Sequence, residues 1–337
     1  MTGNTGNTGN TGNTGNTGNA GMSGDAGGGW TLPERADFPF AMETPGGTPL
    51  RTLFRQVFIQ DMTTGTTKKV RFGTATGAGG GFDAKFEDRN WAGRWFAWRV
   101  LKDFASSSWT SPALNNQLTQ ILLDLNNSAG TKTFQQVEYE TLFNMARDER
   151  ASAMGEILTQ DAEFITTFME ALAMKPGSHF RTFRVLHIAS LVGSFAVLFY
   201  KDHFDRPRPS WEMPGLLPPV TVPGHSSFPS GHATQAYLMA KCMRLVFSLA
   251  ANLPASHQTT LNATLSALAT RVARNREIAG LHYPSDSRAG SALAEAVFAK
   301  LSELNAGGSP GVPTDYKFPK FGRAIVRAAT DDWKLEP

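Results

Sequence analysis

The fold is decided by three stretches of the sequence, Lys201-Asp-His-Phe-Asp-Arg-Pro-Arg-Pro209, Phe228-Pro-Ser-Gly-His232 and Asn275-Arg-Glu-Ile-Ala-Gly-Leu-His-Tyr-Pro-Ser-Asp286. Together they combine cations, small residues and histidines. Arginine offers a planar fork that matches two oxygens of an oxyanion, and lysine adds a compact positive charge. A Ser-Gly pair at the start of a helix adds a hydroxyl and backbone N–H groups that favour anions. The three stretches predict a binding site for a tetrahedral oxyanion such as phosphate.

The spacing inside these stretches is as informative as their composition. Six residues lie between Lys201 and Arg208, five between Arg276 and His282, and three between His282 and Asp286. In residue type, order and spacing the stretches resemble the type 2 phosphatidic acid phosphatase superfamily, which includes bacterial acid phosphatases and vanadium-dependent haloperoxidases. Three motifs in the right order make a specific signal. The resemblance covers about the middle third of the chain.

Two positions depart from the family pattern. Asn275 stands where the family usually has serine, and Glu277 stands where apolar residues are common. Neither departure removes a charged ligand, so the predicted oxyanion site keeps all of its cations.

The resemblance implies a role for each matched residue. The oxyanion is held by cations, a hydroxyl and a backbone N–H group, which belong to Lys201, Arg208, Ser230, Gly231 and Arg276. His282 is the implied nucleophile, Asp286 orients it through the other ring nitrogen, and His232 protonates the leaving group. The implied activity is that of a phosphoric monoester hydrolase, which acts on a small phosphorylated substrate through a phosphohistidine intermediate and needs no metal or other cofactor.

A vanadium-dependent haloperoxidase is the alternative that the same resemblance implies. Vanadate would be its cofactor, His282 would ligate vanadium, and the product would be a halide oxidised by hydrogen peroxide. His225 lies seven residues before His232, which resembles the arrangement in vanadium bromoperoxidases and predicts a position beside the oxyanion. The gaps of 21 and 45 residues between the motifs are shorter than is usual in haloperoxidases, and they favour the phosphatase.

Hydrophobic periodicity predicts helices along most of the chain. Leucines and isoleucine keep helical spacing from Leu114 to Leu125, a long helix is predicted from Val137 to Thr159, and Ile188 to Tyr200 is almost wholly apolar. Earlier, Thr52 to Gln60 and Lys68 to Phe72 predict a β-hairpin. We therefore expect an all-α fold, a helical bundle of the acid phosphatase and haloperoxidase type, with a small irregular or β-hairpin N-terminal elaboration.

Composition divides the chain into four segments. Residues 2–19 are repeats of Thr-Gly-Asn and the Gly-rich run continues to Gly29, so residues 1–29 are predicted to be a disordered tail. Residues 30–110 are predicted to be the N-terminal elaboration packed on the bundle. Residues 111–304 are the predicted helical catalytic domain, and residues 305–337 a C-terminal tail.

The overall composition limits location and partners. The net charge of +3 is too small and too scattered to predict binding to nucleic acid. The single cysteine, Cys242, allows no intrachain disulfide. No signal peptide precedes the domain, and the apolar stretch from Ile188 to Tyr200 is short for a bilayer. These features predict a soluble, cytoplasmic protein without a membrane span.

Two residues near the motifs have no role in the pattern. Arg206 precedes a proline, as Arg208 does, but it lacks the family spacing from Lys201 and is predicted to be a structural or surface charge. His187 matches no motif and is predicted to be structural or exposed.

Overall fold

The computed structural model of the protein describes residues 43–44, 48–49, 55–60, 64–72 and 91–333. Within these residues the protein is predominantly helical, which confirms the predicted all-α fold. The tail predicted over residues 1–29 lies outside the described residues. Contacts divide the chain into two compact units, of which Gly29–Trp91 is one and Ala92–Pro337 belongs to the other.

The described residues of the unit Gly29–Trp91 form two pairs of strands. They are β1 (Glu43–Thr44) with β2 (Thr48–Pro49), and β3 (Arg55–Gln60) with β4 (Thr67–Phe72). Strands β3 and β4 pair antiparallel, with Val57 opposite Val70, which confirms the predicted hairpin. Gly65 in the connection has a φ of +69°, a backbone conformation that glycine adopts without steric cost. The expected packing of this segment on the bundle stays a prediction.

The second unit is built from helices joined by short connections. They are α1 (Gly93–Ala105), α2 (Pro112–Leu123), α3 (Phe134–Asp148), α4 (Arg150–Ala162), α5 (Ile165–Ala171), α6 (Phe180–Phe204), α7 (Pro209–Glu212), α8 (Gly231–Leu249), α9 (Ala255–Ile278), α10 (Pro284–Leu301) and α11 (Pro319–Arg327). Two short strands, β5 (Ser128–Ala129) and β6 (Lys132–Thr133), pair before α3. Helix α1 packs on α6 within this unit, so the predicted boundary at residue 110 lies too late in the sequence.

The long helix predicted from Val137 to Thr159 is two helices. Helix α3 ends at Asp148 and α4 begins at Arg150, with Glu149 between them at φ −116° and ψ −23°. Arg150 donates to the carbonyl oxygens of Leu216 and Ile278 at 2.6 and 3.0 Å. These tertiary bonds fix the chain at the break, and nothing in local propensity indicated them.

Helix α6 is the central helix of the bundle. It packs against α1, α8 and α11, and its middle, including Ile188, Val192 and Ala196, is fully buried. The segment Phe180–Glu212 is long and apolar enough to cross a membrane, with a mean hydropathy of 1.7 in its most apolar window, of which 78% is buried inside the protein. This segment weakens the prediction that the chain has no membrane span, although a mostly buried core helix meets the same criteria of length and composition.

The C-terminal residues are part of the bundle rather than a tail. Phe321 and Ile325 of α11 are fully buried, and α11 packs against α6. The Asp332 carboxylate accepts hydrogen bonds from the backbone N–H and the hydroxyl of Thr182, at 2.6 and 2.8 Å. The prediction of a C-terminal tail from residue 305 is corrected by these contacts.

Candidate active site

His282 and Asp286 form the pair at the centre of the site. His282 precedes α10, and Asp286 lies in the first turn of that helix, where its carboxylate accepts from the backbone N–H of Tyr283 at 3.0 Å. The same carboxylate oxygen lies 3.1 Å from His282 Nδ1. Burial alone would raise the pKa of Asp286, but the charge of Arg206 and the contact with His282 outweigh it and lower that pKa to about 2. An ionised Asp286 places the imidazole proton on Nδ1 and leaves Nε2 unprotonated.

Arg208 faces the other nitrogen of the same imidazole. Its Nη1 lies 3.1 Å from His282 Nε2 and donates to the carbonyl oxygen of Leu281 at 2.9 Å. Burial, and after it the charge of Arg208, hold the pKa of His282 well below its ordinary value. His282 is therefore neutral at physiological pH, which is the form that a nucleophile or a ligand requires.

Lys201 lies in the last turn of the central helix α6, and its side chain is buried. Its Nζ donates to the carbonyl oxygens of Ser226 and Ser227 at 2.6 and 2.8 Å, and these residues precede the second motif. Burial first, and then the charge of Arg208, hold the pKa of Lys201 well below its ordinary value. A second charged group that lowers this pKa must lie near the ammonium, so the first motif delivers two cations to one region.

Ser230 and Gly231 open helix α8 beside the pair. Ser230 is the N-cap residue, whose hydroxyl accepts from the N–H of Ala233 at 3.4 Å. Its own N–H donates to the carbonyl oxygen of Asp286 at 3.0 Å, which ties the start of α8 to the start of α10. The positive end of the α8 dipole thus lies near His282, as an oxyanion would require.

Arg276 is the third cation and has an unused donor. Its guanidinium is fully buried, and it donates to the carbonyl oxygen of Ile157 at 2.7 Å and to the Asp161 carboxylate at 3.3 Å. Burial lowers its pKa to about 10, so it stays charged. Among the described residues, the Nε–H group of Arg276 is buried without a hydrogen-bond partner, and an unsatisfied buried donor costs about 1–3 kcal/mol.

His232 is the second histidine of the site. It lies in the first turn of α8, its Nε2 is 3.0 Å from the carbonyl oxygen of Gln160, and its ring stacks on Phe164 at 4.8 Å between centroids. Burial, and next the charge of Arg276, hold its pKa well below its ordinary value, and His282 contributes in the same direction. Residues from all three motifs therefore influence one another electrostatically, as members of one site must.

The comparison with known proteins agrees with this geometry. Residues 184–304 match the family described as the PAP2 superfamily. This segment is a PAP2 superfamily domain. It contains all three motifs and most of helices α6 to α10. No curated protein matches the chain.

One solved structure similar to the chain is the crystal structure of the first transmembrane PAP2 type phosphatidylglycerolphosphate phosphatase from Bacillus subtilis. The similarity covers 60% of this chain and 89% of that one, at 16% sequence identity and a TM-score of 0.29. The predicted soluble, cytoplasmic location of this chain stays a prediction.

His225 lies against Arg208 in the PAP2 domain. Its Nδ1 is 3.0 Å from Nη2 of Arg208, and its carbonyl oxygen accepts from Nε of Arg208 at 2.9 Å. Nδ1 also lies 3.1 Å from the carbonyl oxygen of Ser226, which can only accept, whereas Arg208 can only donate, so Nδ1 serves one of these two neighbours and not both. The Nε2 atom is buried without a partner among the described residues. Burial, with the charges of Lys201 and Arg208, lowers the pKa of His225 to about 4. The structure places His225 beside Arg208, and its position beside the oxyanion stays a prediction.

Asn275 explains one departure from the PAP2 pattern. Its amide group donates to the Glu156 carboxylate at 2.9 Å and to the side-chain oxygen of Gln160 at 3.0 Å, both of them on helix α4. Serine is too short to span the same two acceptors. The amide therefore ties the residue before Arg276 to the helix whose carbonyl oxygens contact Arg276 and His232.

Two residues to which the family pattern assigns no role support Asp286. Arg206 contacts it directly, and Glu138 contacts Arg206. Arg206 donates to the Asp286 carboxylate at 2.7 Å, and its guanidinium lies 3.3 Å from the carboxylate of Glu138 on α3. The side chain of Arg206 is 10% exposed, so the prediction of a surface charge is wrong and that of a structural charge is confirmed. Only the alternating Arg-Pro-Arg-Pro sequence pointed to Arg206, and no sequence signal pointed to Glu138.

Proposed function

We propose that this chain hydrolyses phosphate monoesters through a phosphohistidine intermediate. The PAP2 family match supports a phosphatase-type activity. The observation that carries the finer proposal is the arrangement of His282, with Nδ1 on Asp286 and Nε2 beside Arg208. This arrangement supplies a neutral, oriented nucleophile whose reactive atom lies next to a cation that can hold a phosphoryl oxygen.

In the first half of the reaction, Nε2 of His282 attacks phosphorus in line with the ester oxygen. The nitrogen–phosphorus bond forms as the phosphorus–oxygen bond breaks, and the electron pair of that bond goes to the leaving alkoxide. Protonated His232 gives its proton to this oxygen and becomes neutral. His232 is neutral in the ligand-free site because of burial and Arg276, and the negative charges of a bound ester favour its protonated form.

In the second half, water replaces the alcohol and attacks the phosphorus of phosphohistidine. Neutral His232 takes the proton of the water, and the electron pair of the nitrogen–phosphorus bond returns to Nε2 of His282. Phosphate leaves, His282 is again neutral, and His232 again carries the proton with which it began the cycle. Arg208 and Arg276 stay charged, and with Lys201 they stabilise the negative charge that spreads over the phosphoryl oxygens in both transition states.

The first test is hydrolysis of p-nitrophenyl phosphate in the presence of a metal chelator. We expect turnover, a phosphoenzyme trapped by acid quench, and loss of both in His282→Ala. His203→Ala is the matched control, because His203 is exposed. A chelator-sensitive activity, or turnover that survives in His282→Ala, would contradict the proposal.

The role of His232 has its own test, which compares leaving groups. His232→Ala should slow the hydrolysis of an alkyl phosphate by about 10²–10⁴-fold, because a poor leaving group needs the proton. Hydrolysis of p-nitrophenyl phosphate, whose leaving group is stable without a proton, should fall much less. Equal losses for both esters would remove His232 from the acid role.

A vanadium-dependent haloperoxidase is the second candidate, and the position of His225 beside Arg208 is the observation in its favour. The cations fit vanadate as they fit phosphate, and the unpaired Nε–H group of Arg276 suits either oxyanion. Bound vanadate would supply the activation of peroxide. We expect vanadate to inhibit ester hydrolysis competitively and bromination to stay at the level of free vanadate. Bromination that depends on the protein and weakens in His225→Ala would establish the second candidate.

A further inference from the structure

The carboxylate of Asp286 has a cationic partner as well as its histidine. Oδ2 faces His282 Nδ1 at 3.1 Å, whereas Oδ1 accepts from Nη1 of Arg206 at 2.7 Å. The side chain of Asp286 is fully buried. One carboxylate thus connects the implied nucleophile to an arginine in the first stretch, at a position to which the family pattern assigns no role.

Arg206 is itself fixed by a second acid and by an aromatic ring. Its Nη2 lies 3.3 Å from the carboxylate of Glu138, and its guanidinium carbon lies 3.8 Å from the centroid of the Tyr283 ring. Glu138 in turn accepts from the N–H and the hydroxyl of Ser285 at 2.6 and 2.9 Å. Ser285 directly precedes Asp286, so helix α3 and the start of α10 hold the guanidinium from two sides.

The contact with Arg206 matters for Asp286 because a buried carboxylate needs a partner to stay ionised. An ionised group in the interior is costly unless it is paired, and an unpaired one becomes protonated or moves toward water. Without Arg206, Asp286 would lose the partner that keeps it ionised and would lose the bond that fixes its second oxygen. Either change weakens the acceptor for Nδ1–H of His282, and the imidazole could then turn or carry its proton on Nε2.

We propose that Arg206 and Glu138 are positioning residues that hold Asp286 so that His282 presents the Nε2 lone pair to the cations of the site. Glu138 lies outside the segment 184–304 that matches the PAP2 superfamily, so this support comes from a part of the chain that the family pattern does not include. The kinetic consequence rests on the proposed hydrolase function, whereas the effect on the imidazole does not.

The kinetic experiment compares Arg206→Ala, Arg206→Lys and Glu138→Gln with the full-length protein, using p-nitrophenyl phosphate. We expect Arg206→Ala to lower kcat by about 10–100-fold, the effect typical of a partner that orients a reactive histidine. The apparent Kd for vanadate should change less, because Arg206 contacts none of the predicted oxyanion ligands. Guanidinium ions at non-denaturing concentration should restore part of kcat in Arg206→Ala, and Arg206→Lys should be intermediate, because lysine keeps the charge but cannot bridge two carboxylates.

The matched control is Arg274→Ala. Arg274 also joins two helices through an ion pair, with Glu149 at 2.8 Å, but it has no contact with Asp286 or His282. It should keep the wild-type kcat, and guanidinium ions should leave it unchanged. A kcat loss in Arg274→Ala as large as that in Arg206→Ala would show that general damage to helix packing, rather than positioning of Asp286, accounts for the effect.

Nitrogen-15 spectra of histidine-labelled protein test the imidazole directly, without turnover. The signals of His282 are those that disappear in His282→Ala. We expect the proton on Nδ1 in the wild type and a shift toward Nε2 protonation in Arg206→Ala, with a smaller shift in Glu138→Gln. If Arg206→Ala does not fold, Arg206→Lys and Glu138→Gln decide the question.

The kinetic experiment and the nitrogen-15 spectra together distinguish a failure of this inference from a failure of the proposed function. An unchanged His282 tautomer in folded Arg206 and Glu138 variants overturns the inference, whatever their activity. If the wild type hydrolyses no phosphate ester but the His282 tautomer still shifts in the Arg206 and Glu138 variants, the proposed function is overturned and the positioning role is supported.

Discussion

His187 has an acid–base property that the candidate site does not use. Its ring is buried between helices α6 and α1, and burial, followed by the charge of Arg94, lowers its pKa to about 3. An unfolded histidine takes up a proton below a pKa of about 6.5. Between these two values the unfolded chain therefore binds more protons than the folded one, and stability is lost as the pH falls. The loss is about 1.4 kcal/mol for each pH unit below about 6.5.

Replacement of His187 by glutamine should remove this dependence. We expect the unfolding free energy of His187→Gln to fall less steeply than that of the wild type between about pH 6.5 and pH 5. Urea denaturation at several pH values measures the slope, and His203→Gln, which changes an exposed histidine, is the control. Parallel slopes for His187→Gln and the wild type would show that this histidine is protonated in the folded protein.

Single residues were predictable where the chemistry fixes their spacing. The three motifs predicted Lys201, Arg208, Ser230, His232, Arg276, His282 and Asp286, and the structure places these residues near one another, whereas their roles stay predictions. The prediction that Arg206 is a structural or surface charge rested on its spacing from Lys201 alone. Its bond to Asp286 joins two segments 80 positions apart in the sequence. Glu138 contacts Ser285 across 147 positions of sequence, and no local pattern predicts a pairing over that distance.

The start of helix α8 is held close to helix α10, and this contact depends on Gly290. A Cβ atom at this position would lie 2.8 Å from Cβ of Ala233 and 2.9 Å from the carbonyl oxygen of Ser230. Such distances force one helix to move away from the other. The residues displaced would be those that present the Ser230 hydroxyl and the N–H of Gly231 to the oxyanion.

Gly290→Ala should therefore lower stability and weaken oxyanion binding together. We expect a loss of about 1–3 kcal/mol in unfolding free energy, as for an overpacked interior, and a higher Kd for vanadate. Gly155→Ala is the control, because a Cβ atom at Gly155 meets nothing within 4 Å. The control should gain roughly 0.5–1 kcal/mol from helix propensity and keep its Kd. Unchanged vanadate binding in Gly290→Ala would show that the α8 start tolerates the shift.

Helix existence was predictable from hydrophobic periodicity, and helix limits were not. The apolar positions of α2 and α8 appeared in the sequence with helical spacing, because each helix buries one face. The break between α3 and α4 at Glu149 carries no proline or glycine, and it depends on bonds that Arg150 makes to distant carbonyl oxygens. Helix α6 begins before the apolar run from Ile188 to Tyr200, and Arg184 and His187, both buried, interrupt the apolar pattern in its first turns.

At the scale of the whole molecule, the two ends of the chain differ in what their sequences can bury. The first 29 residues are rich in threonine, glycine and asparagine and contain almost no apolar side chains. The C-terminal segment from Pro319 buries Phe321 and Ile325, and the Trp333 ring packs on Phe247 at 4.7 Å between centroids. Composition alone distinguished the first end, whereas the packing of the second depended on partners far away in the sequence.

Deletion of each end tests this difference. Removal of residues 1–29 should leave the melting temperature and the hydrolysis of p-nitrophenyl phosphate unchanged, because that composition offers no apolar surface to bury. Removal of Pro319 to Pro337 should delete two buried side chains, Phe321 and Ile325, each of which contributes about 1.5–3 kcal/mol. The melting temperature should then fall by on the order of 10 °C. Thermal unfolding followed by circular dichroism measures both changes, and a destabilised N-terminal deletion would show that the repeat segment packs on the folded protein.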